Sequence, residues 1–261
     1  MSDLEEYVTR PTRQASWTLV RDAAPAAHAH ARCQPDGHWH VSIDAWDETA
    51  YEPLAAAIGA DLRQDLYTIV DEADPQELLR WRRLGFAVNR REVLLEVPVD
   101  PAETGLGDPV LPGGMAFVSA DAVDEIQLRE LDDTLRAQLP GATIWRNDPV
   151  EFHEYTFDGA HFDPATYLVA VDDIRQAFAG LVRVWVSPGH SRLGLIAVVR
   201  GYRRRGLARA LLAAAFAPLH ERGIRSVMAE ADDSNEASLA LLKGIGAKET
   251  GSTLELIRRA D

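Results

Sequence analysis

Cysteine is nearly absent from this chain. Cys33 is the single one in 261 residues, so no internal disulfide can form and a reducing compartment is expected. Lysine is almost as scarce: Lys243 and Lys248 stand against 25 arginines. No apolar run approaches the ~18–20 residues of a membrane helix. The acidic opening Met1-Ser-Asp-Leu-Glu-Glu6 has no basic stretch followed by an apolar one, so no signal peptide is expected either. Together these absences predict a cytoplasmic protein. Positive charge is also in short supply. The formal net charge is −14, a field that repels nucleic acid and acidic membranes and favours a cationic partner. Neither nucleic acid nor membrane is an expected partner.

What is present is the balance of a folded protein, with 46% hydrophobic and 26% charged residues. That excludes a disordered tail and a fibrous repeat. The charge is uneven: residues 1–112 carry −10 and residues 113–261 only −4. The basic residues of the second part are therefore the ones that need a role.

Three prolines and four glycines fall in Pro101–Gly114, a composition that sustains neither a helix nor a central strand and predicts a linker over 101–114. It would separate a lobe of residues 1–100 from a domain of 115–261. Strands are expected at Val93–Val99, Met115–Ser119, Thr166–Val171, Phe178–Val186 and Leu193–Val199, the last two as an antiparallel hairpin about Ser187–His190. Asp121–Leu139 repeats apolar residues at helical spacing. A helix opens at Gly206, where Leu207, Leu211, Ala214 and Ala215 give it an apolar face and Pro218 should kink or end it. Ser226–Ala231 reads as a strand. Asp233 and Glu236 form a capping-box pattern for a helix to Lys243, stopped by Gly244 and Gly246. Leu254–Arg258 is the final strand. The fold class is α/β, a mixed sheet flanked by helices. A faint repeat at an offset of 161 lays Asp74 on Asn235 and Gly85 on Gly246.

The chemistry concentrates in Ala197-Val-Val-Arg-Gly-Tyr-Arg-Arg-Arg-Gly-Leu-Ala-Arg209. A strand runs into an arginine- and glycine-containing turn that opens a helix. A helix N-terminus leaves backbone N–H groups unpaired and carries the positive end of the macrodipole, so it forms an anion site. Gly206 and Ala208 allow close approach to the backbone, while Arg203, Arg204 and Arg205 add forked donors suited to phosphate. The Walker and dinucleotide glycine patterns are both missing.

This stretch resembles motif A of the Gcn5-related N-acetyltransferases, whose Gln/Arg-x-x-Gly-x-Gly/Ala core is met here by Arg203-Arg-Arg-Gly206-Leu-Ala208. Asp233–Gly246 resembles their motif B. The resemblance covers residues 115–261 well and 17–100 weakly. It implies a complete C-terminal acetyltransferase domain of this fold, an N-terminal lobe that is a reduced α/β unit of the same kind, and acetyl-CoA as co-substrate. By the same resemblance, the backbone of Ile196, Ala197 and Val198 would hold the pantetheine arm. Amides of Arg204, Arg205, Gly206, Leu207 and Ala208 would hold the pyrophosphate beside Arg203, and Asn235 would contact the donor from the other side. Glu230 has the spacing of the family's base glutamate, with Glu151, Glu154, Asp172 and Asp173 as rival bases or substrate anchors. The implied activity is direct acetyl transfer to a small, cationic amine. The alternatives are an acyl-CoA-binding module without turnover and transfer to a protein N-terminus.

The sequence departs from the family at Leu242, where a tyrosine commonly protonates the leaving thiolate. In the first lobe, Trp46-Asp-Glu-Thr-Ala-Tyr51 takes the place of the donor loop with two acids and neither arginine nor glycine, so a pyrophosphate would be repelled there. His28, His30, Cys33, His38 and His40 match no common zinc spacing, and no metal is expected. Trp145–Asp148 and Glu151–Tyr155 are candidates for a substrate entrance. Two lobes in one chain fit either a monomer or a homodimer.

Overall fold

The structure is a computed structural model that describes residues 13–140, 144–158, 162–187 and 189–260. The acidic opening and Pro188 of the expected hairpin turn lie outside them. In chain order the elements are β1 (Gln14–Arg21), β2 (Ala24–Cys33), β3 (Trp39–Ala45), α1 (Tyr51–Leu62), β4 (Leu66–Asp71), α2 (Pro75–Arg83) and β5 (Ala87–Pro98). They continue with α3 (Pro101–Thr104), β6 (Met115–Ser119), α4 (Glu125–Arg136), α5 (Pro149–His153), β7 (Tyr167–Asp172), β8 (Ala177–Trp185) and β9 (Arg192–Val198). Last come α6 (Leu207–Glu221), β10 (Ser226–Asp232), α7 (Glu236–Lys243) and β11 (Lys248–Arg258). No helix among the described residues is long and apolar enough to cross a membrane.

Two compact units emerge, one from Met1–Glu92 with Ser252–Asp261, the other from Val93–Gly251. The division does not fall at Pro101–Gly114, which lies within the second unit. There Asp100 accepts from Ala102 N at 2.7 Å and caps α3, so proline at the first helical position starts a short helix instead of breaking structure.

In the first unit β1, β2 and β3 pair antiparallel, with Trp17 opposite Ala29 and Ala29 opposite Ile43. β3 meets β4 in parallel only at Trp39–Leu66 and His40–Tyr67, and β4 pairs antiparallel with β11. Trp17, Leu19, Leu54, Ile58, Trp81, Phe86 and Leu256 form its core. Trp81 and Phe86 meet edge to face at 4.9 Å.

The second unit orders its strands β5-β10-β9-β8-β7-β6, antiparallel from β6 to β9 and parallel at β9–β10. Leu207, Leu211, Ala215, Phe216 and Leu219 of α6 bury one core with β5 and β10. Leu128, Leu131 and Leu135 of α4 bury another with Tyr167, Val169 and Leu181. Each such leucine contributes ~1.5–3 kcal/mol by leaving water.

Three local expectations change. α4 starts at Glu125, not Asp121, because Asp124 caps Gln127 N at 3.1 Å, and Ile126 points to solvent at 58% exposure. Pro218 sits inside α6 without ending it, since burial of Leu219 holds the last turn in place. The cap of α7 is Asn235, whose side chain accepts from Ser238 N at 3.2 Å, and not Asp233.

The offset of 161 is a structural repeat. β4–α2–β5 and β10–α7–β11 follow the same course, Asp74 and Asn235 are both helix caps, and Gly85 and Gly246 both have φ of +88°. A positive φ after a helix favours glycine, which is why both stops are glycines.

Candidate functional site

β9 and β10 share a single register pair, Arg192 with Met228, and diverge beyond it. β9 stays zipped to β8 on its other edge, with Ile196 opposite Val182 and Val198 opposite Gly180. Past the Arg192–Met228 pair a cavity of about 420 Å³ lies between the end of β9 and the start of α7. Its walls are Ile196, Ala197 and Val198 of β9, the turn from Tyr202 to Arg204, Gly206 to Arg209 of the α6 start, and Asn235, Ala237, Ser238 and Leu241 of α7. Leu135, at the end of α4, and Gln138, Leu139 and Pro140 just after it close one side.

Of the residues singled out in sequence, Ile196, Ala197, Val198, Arg203, Arg204, Gly206, Leu207, Ala208 and Asn235 all line this cavity. Arg205 does not, and its guanidinium lies 5.6 Å from the Tyr202 ring centre instead. Glu230 stands on the exposed side of β10, where its carboxylate accepts from Arg192 Nη2 at 2.5 Å.

The turn is shaped for an anion. Arg204 and Gly206 both take left-handed conformations, at φ of +63° and +81°. The first helical N–H groups after Gly206 have no acceptor inside the helix, and no side chain caps α6. A Cβ on Gly206 would meet no protein atom within 4 Å, so the space in front of the backbone is open. Arg203 is tied down, donating from Nε to Val198 O at 2.9 Å and from Nη2 to Gln138 Oε1 at 2.8 Å. Arg209 reaches the carbonyls of Gly105 and Gly244.

Tyr202 donates its hydroxyl to Asp172 Oδ2 at 3.0 Å. Asp172 is buried and also accepts from Arg175 Nη1 at 2.7 Å, so its carboxylate anchors the turn. Leu242 is 2% exposed in the α6-side core, where no proton donor is offered.

In the first unit, the corresponding segment fills its own anion position. Asp47 Oδ1 accepts from Thr49 N at 2.9 Å, Asp47 Oδ2 pairs with Arg21 at 2.8 Å, and Glu48 pairs with Arg80 at 3.2 Å. His38, His40 and Glu255 bring ligand-type atoms within 4.8 Å. Glu255 there already accepts from Asn89 at 2.6 Å and Arg90 at 3.0 Å. His28 and His30 bond instead with Thr18 and Ser16.

Residues 128–247 match the model of the acetyltransferase (GNAT) family. A mycothiol acetyltransferase from Clavibacter sepedonicus is 33% identical over 155 residues, which are 59% of this chain and 49% of that protein. The chain thus spans about half the length of the curated relative it matches. Among solved structures, a GCN5-related N-acetyltransferase from Sphaerobacter thermophilus superposes with a TM-score of 0.68 at 17% identity, over 95% of this chain and 81% of the other. A tandem GNAT protein from the clavulanic acid biosynthesis pathway gives 0.69 at 16% identity, over 97% and 85%.

Proposed function

We propose, since residues 128–247 match the acetyltransferase (GNAT) family model, that the second unit is an N-acetyltransferase that moves the acetyl group of acetyl-CoA directly to a small amine. The observation that carries this is the cavity where β9 and β10 part, ending at an uncapped helix N-terminus with Gly206 left-handed in front of it. The residues present suit the donor. Unpaired amides and Arg204 offer donors to a pyrophosphate, and the diverging edge of β9 offers peptide groups to an amide-containing arm. Apolar walls at Ile196, Val198 and Leu241 accept its methylenes.

In the proposed reaction Glu230 takes a proton from the acceptor ammonium, directly or through water, and Arg192 holds that carboxylate in place. The neutral amine nitrogen bonds to the thioester carbon as the carbonyl electron pair moves onto oxygen, and the second nitrogen proton passes to water. The carbonyl then re-forms as the carbon–sulfur bond breaks, and CoA leaves with the electron pair. With Leu242 in the core, no acid from that position protonates the sulfur. A thiol of ordinary pKa about 8.5 is a tolerable leaving group as its thiolate. The buried leucine is also what favours the second reading, a CoA-binding module without turnover.

The test is thermal unfolding with acetyl-CoA, followed by an amine screen for CoA release. Ligand at 100 times its Kd stabilises by ~2.7 kcal/mol, a shift of several degrees. Wild type should shift and Gly206→Glu should not; an unshifted wild type would remove the donor site. Glu230→Gln should lower kcat at least tenfold with unchanged acetyl-CoA affinity, and unchanged kcat would exclude Glu230 as the base. Binding without CoA release from any amine would favour the module.

A further inference from the structure

The first unit holds a cluster that donor binding and transfer leave unused. His38 just before β3, His40 in β3 and Glu255 in β11 each bring one ligand-type atom within 4.8 Å of the other two. Glu255 is 2% exposed. His40 Nε2 lies 3.7 Å from Glu255 Oε2, too far for a hydrogen bond. That spacing is close to the ~3.3 Å between two ligands that each stand ~2.0–2.1 Å from one tetrahedral zinc. His38 Nδ1 is buried and makes no hydrogen bond among the described residues. A buried polar atom left unmet costs free energy until something meets it.

The surroundings hold these atoms in place. Tyr67, the register partner of His40 in β4, stacks on the His38 ring at 3.9 Å, and its ring centre lies 5.8 Å from that of His40. One phenol ring thus braces both imidazoles. Glu255 Oε1 accepts from Asn89 Nδ2 at 2.6 Å, and Oε2 from Arg90 Nη2 at 3.0 Å. A carboxylate has about four lone-pair directions, so two remain. Carboxylates that bind metals are commonly oriented by hydrogen bonds of this kind. Arg90 is shared with Glu92 at 3.2 Å, which offsets its charge beside a cation. Of the other charges nearby, Asp65 pairs with Arg259, Asp36 Oδ2 stands 3.4 Å from His38 Nδ1, and Arg32 is the register partner of His40. A cavity of about 430 Å³, lined by His40 with Ser16, Ser42 and Thr68, gives a cation its entry path.

We propose that His38, His40 and Glu255 bind one divalent transition-metal ion, with zinc as the best match and water in the fourth position. Two imidazoles and one carboxylate are a zinc-type donor set, whereas calcium and magnesium prefer oxygen ligands alone. The expectation of no metal came from spacings among residues 28–40. The third ligand stands on the last strand, beyond the reach of any such pattern. The ion has a structural task here, independent of acetyl transfer. β3 meets β4 through two register pairs, while β4 and β11 share six. A metal held from the start of β3 and from β11 ties that short seam across β4.

The test needs no turnover. The full chain, free of any histidine tag and stripped with chelator, is titrated with zinc chloride by calorimetry and by thermal unfolding. One zinc per chain should bind, and at 100 times its Kd the midpoint should rise by several degrees. Magnesium and calcium should give no shift. His38→Gln, His40→Gln and Glu255→Gln should each lower zinc affinity at least tenfold. Cys33→Ser and His28→Gln, which leave the three ligands intact, should keep it. No zinc binding by the wild type, unchanged affinity in any of the three ligand variants, or an equal loss in Cys33→Ser or His28→Gln would overturn the proposal. Cobalt(II) gives a readout that a purely structural role would not move. Its visible d–d absorption should develop in the wild type and be lost in His38→Gln; an identical spectrum in both would also overturn the proposal. His38 is more exposed than His40, so its variant carries the comparison should the other two not fold.

Discussion

Asp172 ends β7 with its carboxyl buried, and several donors converge on it. Arg175 gives its backbone N–H at 2.9 Å and its guanidinium at 2.7 Å, and Tyr202 its hydroxyl at 3.0 Å. The hydrogen bonds from Arg175, helped by Tyr202, hold the carboxyl down at about 2. The folded-state value is depressed, so its stabilisation is complete above the ordinary carboxylate range near 3.8 and disappears as pH falls through about 2. Asp172→Asn should therefore flatten the acid side of a plot of unfolding midpoint against pH between about 4 and 2. A wild-type slope in the variant would show that the pairing contributes nothing. The same substitution should weaken acetyl-CoA severalfold by releasing Tyr202 from the turn. In sequence Asp172 reads as a rival base, because the hydroxyl that claims it is 30 residues away. Composition and local spacing carry no trace of such a contact.

At the scale of elements, two copies of one strand–helix–strand unit serve different ends. Asp74 accepts from Gln76 N at 3.0 Å and Glu77 N at 2.9 Å, and Asn235 accepts from Ser238 N at 3.2 Å. Alanine at either cap should cost about 1 kcal/mol. Asn235 lines the cavity, whereas Asp74 belongs to the first unit. Asp74→Ala should lower the thermal midpoint and leave acetyl-CoA affinity intact, and Asn235→Ala should lower both. Equal affinity losses would contradict the placement of Asn235. Gly85→Ala and Gly246→Ala should each lose at least about 1 kcal/mol, since each glycine holds φ of +88°. The strand–turn–helix course of 192–221 was legible because glycine, alanine and leucine placement follows local rules. The cap of α7 was not, since Asp233 satisfies the box pattern as well as the true geometry does. Aligning Asp74 with Asn235 held the answer. The linker expectation failed for a related reason: proline and glycine punctuate short helices and turns inside a unit as readily as they join units.

Over the whole molecule, the repeat raises the question of whether two lobes bind two donors. Both contain parallel strands in register for only one or two pairs, β3 with β4 and β9 with β10. What differs is the segment that follows. In the second unit it is arginine-rich and ends at a helix opened by the left-handed Gly206. In the first, Asp47 occupies the N–H of Thr49 with its own carboxylate, so an incoming phosphate meets negative charge where it needs donors. Calorimetric titration should therefore give one acetyl-CoA per chain. Gly206→Glu should remove all of it, and Asp47→Ala should add none, because no arginine or left-handed glycine lies in Trp46–Tyr51 to replace the lost cap. Two sites in the wild type would mean that the first unit had kept its function. Affinity should also fall as salt rises, since the attraction is local to Arg204 and the helix end while the chain as a whole is acidic. A salt-independent affinity would assign the binding to the apolar walls of the cavity alone.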